Sequence, residues 1–217
     1  MRYSPEHSEQ TRQRILDAAG REFRNHGFAG IGVDGLAKAA GVTSGAFYSH
    51  FRSKADVFRA VAAAGLARLR LGMEHFRRQH GRHWLEPFAT FYLGSQHRAD
   101  IPGGCAMPAL SAEVERADET TRSTFQEELL KVATLAADGW SGQPGREAGW
   151  PILAMLAGGV LLSRAVANDA VAQEIADAVL TAVKSYTAPA HQRGSDAHPT
   201  AEALPPSPRD HPPSGAR

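Results

Sequence analysis

The sequence predicts an all-α chain in two folded parts, and three observations predict it. Apolar residues recur at helical spacing through most of the first 187 residues, no alternating β-branched run interrupts them, and glycine- or proline-containing breaks cut them into helix-length segments. At 217 residues, with 42% hydrophobic and 22% charged, the composition is that of an ordinary globular protein long enough for a real core. The net charge is only +1, but it is uneven, with nine Lys/Arg against six Asp/Glu in residues 1–60. A basic head on a neutral body is a distribution that suits contact with a polyanion.

Taken in order, Ser8 to His26 reads as an amphipathic helix with Ile15, Leu16, Ala19 and Phe23 inward and Arg12, Arg14, Arg21 and Arg24 outward. Arg12 is the arginine expected nearest a phosphate. Gly30 to Gly35 then spells G-x-G-x-x-G, with Asp56 about 20 residues on. A nucleotide-binding fingerprint needs a preceding strand and a βαβ unit; an arginine-rich helix precedes this one, so it is set aside. The stretch Gly35–Phe51 follows. Leu36, Ala37 and Ala40 lie on one side of a short helix, Gly41 supplies a corner, and Phe47 and Phe51, four apart, face inward from a second short helix. This is the pattern of a helix-turn-helix. It leaves Thr43, Ser44, Tyr48 and Ser49 outward, small polar groups and one aromatic hydroxyl suited to phosphates and base edges.

Ser53-Lys54-Ala55-Asp56 is a capping box that opens a long helix to about Gln79, with Val57, Phe58, Val61, Leu66, Leu69 and Met73 at helical spacing. Its free amides, with Lys54, form an expected anion site. His83 to Gln96 reads as one helix, clustering Trp84, Phe88, Phe91 and Tyr92. After the Ile101–Gly104 break come helices from Cys105 to Glu115 and from Thr120 to Trp140, a loop at 141–145, and the most apolar helix, Trp150 to about Ala167. The last helix, Ala170 to Tyr186, carries the stripe Val171, Ile175, Val179 and Val183. Residues from about 188 hold seven of the thirteen prolines and no apolar periodicity, so a disordered tail is expected.

The run from about residue 12 to 58 resembles the DNA-binding domain of the tetracycline-repressor (TetR) family of transcriptional regulators. The resemblance is carried by Ile15–Ala19, Phe23 and Gly27-Phe28, then Val33, Leu36–Val42 and Gly45–Phe51, then Ser53-Lys54 and Val57-Phe58. It covers about a quarter of the chain. Ile31 and Gly32 depart from it, standing where the family places a threonine or serine that caps the hairpin's first helix. The resemblance implies a helix-turn-helix DNA-binding domain at 1–53, a helical-bundle ligand-binding and dimerisation domain at 54–187, and the tail at 188–217. It implies DNA contacts at Thr43, Ser44, Gly45, Tyr48, Ser49, His50 and Lys54, with Ser44 and Ser49 toward bases and Tyr48, His50 and Lys54 toward phosphates. It also implies a fourth helix that carries any ligand signal to the head.

The body residues extend this reading. An effector pocket is expected to draw on Trp84, Phe88, Phe91, Tyr92, Cys105, Met107, Trp140 and Met155, an adaptable aromatic and methionine lining for a largely uncharged ligand. A homodimer interface is expected on the last two helices, at Gly158, Leu161, Leu162, Val166, Ile175 and Val179, because the first of them is too apolar to face water. Cys105, the single cysteine, excludes an intrachain disulfide. The polar N-terminus and the shortness of the apolar run Ile152–Leu162 lead to the expectation of a cytoplasmic protein with no membrane partner. Ten histidines are present, but no acid–base or metal-ligand set assembles around them, so neither a cofactor nor an enzyme is expected. The expected function is that of a repressor binding a palindromic operator as a dimer and answering to a small molecule. One alternative is a redox or electrophile sensor acting through Cys105; another is a helical enzyme or binding protein whose hairpin is merely structural.

Overall fold

The computed structural model describes residues 5–139 and 145–188; Trp140 and the tail from residue 189 lie outside the described residues. Among the described residues ten α-helices follow one another: α1 (Pro5–His26), α2 (Val33–Ala39), α3 (Ser44–His50), α4 (Lys54–His80), α5 (Leu85–Leu93), α6 (Ser95–Ala99), α7 (Ala106–Glu115), α8 (Glu119–Ala137), α9 (Gly149–Ala165) and α10 (Asp169–Thr187). There is no strand among the described residues.

The head forms because α1, α2 and α3 each present one apolar stripe to a common centre. Ile15, Ala19 and Phe23 of α1, Leu36 of α2 and Phe47 of α3 are almost wholly buried, each large side chain contributing about 2 kcal/mol by leaving water. Phe58 of α4 meets Phe23 edge-on at 5.3 Å between ring centroids, and Phe28 at 5.1 Å. The first turns of α4 are thus part of the head's core, and the rest of α4 runs on into the body. Ser53 Oγ accepts the Asp56 amide as the N-cap, while the Asp56 carboxylate reaches one residue further back than the expected capping box requires and accepts the Arg52 amide at 3.1 Å.

The turn between α2 and α3 is a complete Schellman motif. Gly41 stands at φ +65°, its amide bonds to the Lys38 carbonyl, and the Val42 amide reaches back to the Ala37 carbonyl at 3.0 Å. A side-chain carbon on Gly41 would touch nothing within 4 Å, so the demand there is torsional rather than steric. Gly32 caps α2 without any side-chain bond, in keeping with the departure at that corner.

In the body, α4 packs against α5, α7 and α8, and α9 lies between α8 and α10. The helix expected at 83–96 is two: the chain turns at Gly94 (ψ 150°), and α6 leaves in a new direction. Phe91 is consequently 54% exposed rather than inward. Val171 is also exposed, because α10 turns Ala172, Ala176 and Val183 inward instead. With its flanks, Arg146–Ala165 reaches the length and apolarity of a membrane span, contrary to the expectation from the uninterrupted run. Here Ile152, Leu153, Leu156 and Val160 are buried, as in a core helix.

Helices α4 and α7 cross tightly at Gly65. A side-chain carbon there would lie 2.3 Å from the Ala106 Cβ of α7. We expect Gly65→Ala to lower stability by about 1–3 kcal/mol through overpacking, and Gly41→Ala by about 1–2 kcal/mol through its left-handed torsion. Urea denaturation measures both; a Gly65→Ala protein as stable as wild type would show that the crossing yields without cost.

Candidate nucleic-acid interface

The outward face of α3 is built by its caps. Thr43 Oγ1 accepts the Ala46 amide at 3.1 Å, satisfying one free donor of the first turn. Ser44 Oγ donates to Asp34 Oδ1 at 2.6 Å, tying α3 to α2, and Ser49 Oγ donates to the Ala46 carbonyl at 2.7 Å. With Phe47 buried, Thr43, Gly45, Tyr48 and Ser49 face solvent, Tyr48 at 55% exposure, while Ser44 and His50 are half-buried. A side chain on Gly45 would meet only Thr43 Oγ1, at 3.9 Å, so its surroundings are open to close backbone approach. Arg12 lies with its guanidinium 5.1 Å from the Phe51 ring centroid, beside the end of α3.

Lys54 is placed differently from the expectation. Its ammonium donates to the carbonyls of Phe28 (2.8 Å) and Ile31 (3.0 Å) and sits 4.3 Å from the Phe28 ring centroid. It pins the α1–α2 connection, and two of its three donors are engaged inward.

The expected pocket residues separate into two groups. Phe88, Phe91, Tyr92 and Cys105 line one body cavity of about 200 Å³, together with Leu69, Arg68, His97 and glycines 65, 72, 103 and 104. Trp84 and Met107 are instead buried core, and Met155 packs half-buried against it. Arg68 is absent from the expectation because a charged residue on a long helix reads as solvated, and His97 because it lies just past the helix expected at 83–96. Arg24 was expected outward, yet it turns in. From α1 its guanidinium donates to the Gly20 carbonyl (2.7 Å) and the Pro102 carbonyl (3.4 Å). Arg68 Nη2 donates to the carbonyls of Gly103 and Gly104, and Arg164 of α9 donates to those of His97, Arg98 and Asp100. Three guanidiniums from three helices therefore converge on the carbonyls of residues 97–104. Burial, then the Arg68 charge, holds Arg24 down to about 10, still cationic at neutral pH.

Of the expected interface residues, Leu161 and Leu162 are exposed at 55% and 57%, and Gly158, Val166, Ile175 and Val179 are half-buried. Nothing within 4 Å would meet a side chain on Gly158, whereas one on Gly159 would strike Leu93 and Val179 of its own chain. Only the first of the two glycines borders open space. Among the described residues no group of three or more His, Cys, Asp or Glu could hold a metal ion.

A short helix locked to its predecessor by a Schellman turn, with its polar face bare, defines a helix-turn-helix DNA-binding fold on a helical body. Residues 15–61 match the family model described as bacterial regulatory proteins, tetR family. The chain is 46% identical over 57 residues to the HTH-type transcriptional regulator AcrR of Shigella flexneri, a match covering 26% of each chain. It is 41% identical over 59 residues to the HTH-type transcriptional repressor AcnR of Corynebacterium glutamicum, covering 27% of this chain and 31% of that one. These matches span about a quarter of the length of the curated relatives. The crystal structure of Escherichia coli NemR in its reduced form superposes with a TM-score of 0.70 at 26% identity, over 83% of this chain and 99% of that one. Residues 15–61 thus match the DNA-binding domain of the TetR family, and the chain as a whole is similar in fold to NemR.

Burial raises the Cys105 thiol above its ordinary range, against the opposing pull of Tyr92, the Met107 amide, Arg24 and Arg68. It is therefore un-ionised at neutral pH. The unfolded chain ionises first, so this group's contribution to stability is whole below the ordinary thiol range and declines as pH rises above it. Iodoacetamide is expected to alkylate Cys105 at least tenfold more slowly in the native protein than in urea at the same pH; equal rates would show an accessible, ionised thiol.

Proposed function

We propose that this protein is a ligand-responsive transcriptional repressor that binds a palindromic operator as a homodimer in the cytoplasm. The observation that carries the reading is that one helix, α4, shares the head's core at Phe58 and lines the body cavity at Gly65, Arg68, Leu69 and Gly72. A ligand that prefers one position of α4 would move the heads by its differential affinity for the two states. Tyr48, Ser49, Thr43 and Gly45 form the free DNA face, with His50 beside it, and Lys54 acts mainly by fixing the corner from which α3 projects.

The dimer reading rests on two apolar stripes at helical spacing. Ala154, Gly158, Leu161, Leu162 and Ala165 on α9, and Val171, Ile175, Ala178 and Ala182 on α10, are exposed or half-buried. A second copy of the chain, related by a two-fold axis, would bury both stripes and place two recognition helices on successive major grooves. Replacing Leu161 and Leu162 together by glutamate should leave a folded monomer in sedimentation and abolish operator binding at matched protein concentration. A dimer that survives this change would move the interface elsewhere.

A gel shift against DNA upstream of the protein's own gene tests the function itself. Tyr48→Ala should weaken that binding by about 1 kcal/mol across operator variants, through loss of a hydrogen bond and apolar contact; unchanged affinity at matched salt would remove Tyr48 from the interface.

A second reading, thiol sensing through Cys105, draws on the Arg24 and Arg68 charges near its sulfur and on the likeness to NemR, whose structure is of a reduced form. It requires an opening that exposes and ionises a buried thiol. Oxidant that released wild type from DNA but not Cys105→Ser would establish it over the ligand reading.

A further inference from the structure

The cavity beside Cys105 has a chemistry that narrows its occupant. One wall is aromatic and apolar: Phe88, Phe91, the Tyr92 ring and Leu69. The Tyr92 ring lies 4.6 Å from His97 and 5.6 Å from Phe88, centroid to centroid. Gly103 and Gly104 also line the cavity, their carbonyls held by Arg68. Two donors remain unspent. The Tyr92 hydroxyl is buried on a side chain only 2% exposed; it interacts with the Cys105 thiol but makes no hydrogen bond of ordinary geometry. Arg68 gives both of its backbone bonds from Nη2 alone, and a guanidinium has five N–H groups in all.

The charge around the cavity is one-sided. Arg24, Arg68 and Arg164 all act electrostatically on Cys105, and the carboxylate that counters them, Asp100, already accepts the Gly103 amide at 2.9 Å. His97 adds no fixed positive charge, because burial holds it below its ordinary range and its Nδ1 is 2.6 Å from the Tyr92 carbonyl. The space, about 200 Å³, lies below the size of pockets that enclose drug-sized ligands, so it suits one ring with a short substituent rather than a long chain or a fused polycycle.

We propose that this cavity takes a small aromatic carboxylate, its ring between Phe88, Phe91 and Leu69 and its negative end on the Arg68 guanidinium and the Tyr92 hydroxyl. The inference rests on the reading of this cavity as the effector site and revises the sequence-based expectation of an uncharged ligand. Arg68 would supply the charge-assisted, geometrically matched pair that guanidinium makes with carboxylate. Drawing Arg68 toward the ligand would loosen its hold on Gly103 and Gly104, the same segment that Arg24 reaches from the head.

The test is titration of the full-length protein with benzoate and with benzamide, its uncharged analogue of nearly the same shape, by calorimetry and thermal shift. Benzoate is expected to bind and raise the melting temperature, with benzamide weaker by roughly tenfold or more. Tyr92→Phe removes a hydroxyl whose one interaction is with the Cys105 thiol, so the free protein should melt close to wild type while benzoate affinity falls several-fold. Arg68→Gln should lose benzoate binding and spare benzamide binding. Benzamide binding as tightly as benzoate would overturn the carboxylate inference and leave the cavity as an effector site. Neither compound binding at millimolar concentration would overturn both. Benzoate affinity unchanged in Tyr92→Phe and Arg68→Gln alike would place the anion elsewhere and end the proposal.

Discussion

The structure depends on the crossing of α4 and α7 at Gly65 and Ala106. The Ala106 methyl fills the space over Gly65 and leaves no room for a second side-chain carbon, so the two helices cross closely. Interiors are packed at crystal density and do not deform continuously, so a contact this tight leaves α4 few positions relative to the body. A long helix that shares the head's phenylalanine cluster at one end is thereby fixed by the body near its middle.

Around that crossing, polar groups do what apolar packing alone does not. The segment His97–Gly104 has no regular partner for most of its carbonyls, and Arg24, Arg68 and Arg164 supply donors from α1, α4 and α9. Buried or half-buried guanidiniums are costly unless their hydrogen bonds are satisfied, and here backbone carbonyls in place of carboxylates take part of the donor set of each, leaving Arg24 Nε without a partner. The segment is held at once by head, linker helix and body. Surface ion pairs tie other helices, Arg77 of α4 with Asp138 at the end of α8 and Lys184 of α10 with Glu86 of α5, but they are exposed and contribute little.

The body leaves two apolar stripes uncovered on α9 and α10 while burying their opposite faces. Gly158 and Gly159 illustrate the division: adjacent residues point to opposite environments, one bordering open space and the other pressed on Leu93 and Val179. The same helix is core on one side and unpaired on the other. This is why its composition alone satisfies the length and apolarity of a membrane span.

The sequence by itself determined the all-α class, the helix-turn-helix and most helix boundaries, because these follow from local rules. Helical periodicity, the left-handed corner at Gly41 and the cap at Ser53 act within a few residues and leave their mark in order along the chain. It also determined which face of α3 is free, since burying Phe47 and Phe51 leaves one outcome for Tyr48 and Ser49. Only the tertiary structure decided the break at Gly94, the inward turn of Arg24 and Arg68, the engagement of Lys54 with Phe28 and Ile31, and the division of the aromatic residues between cavity and core. Each of these rests on a partner distant in sequence: Pro102 for Arg24, Gly103 for Arg68, Phe28 for Lys54. Charge on a helix reads as solvated until the carbonyls that receive it are known, and an aromatic stripe reads alike whether the space before it is filled or left empty.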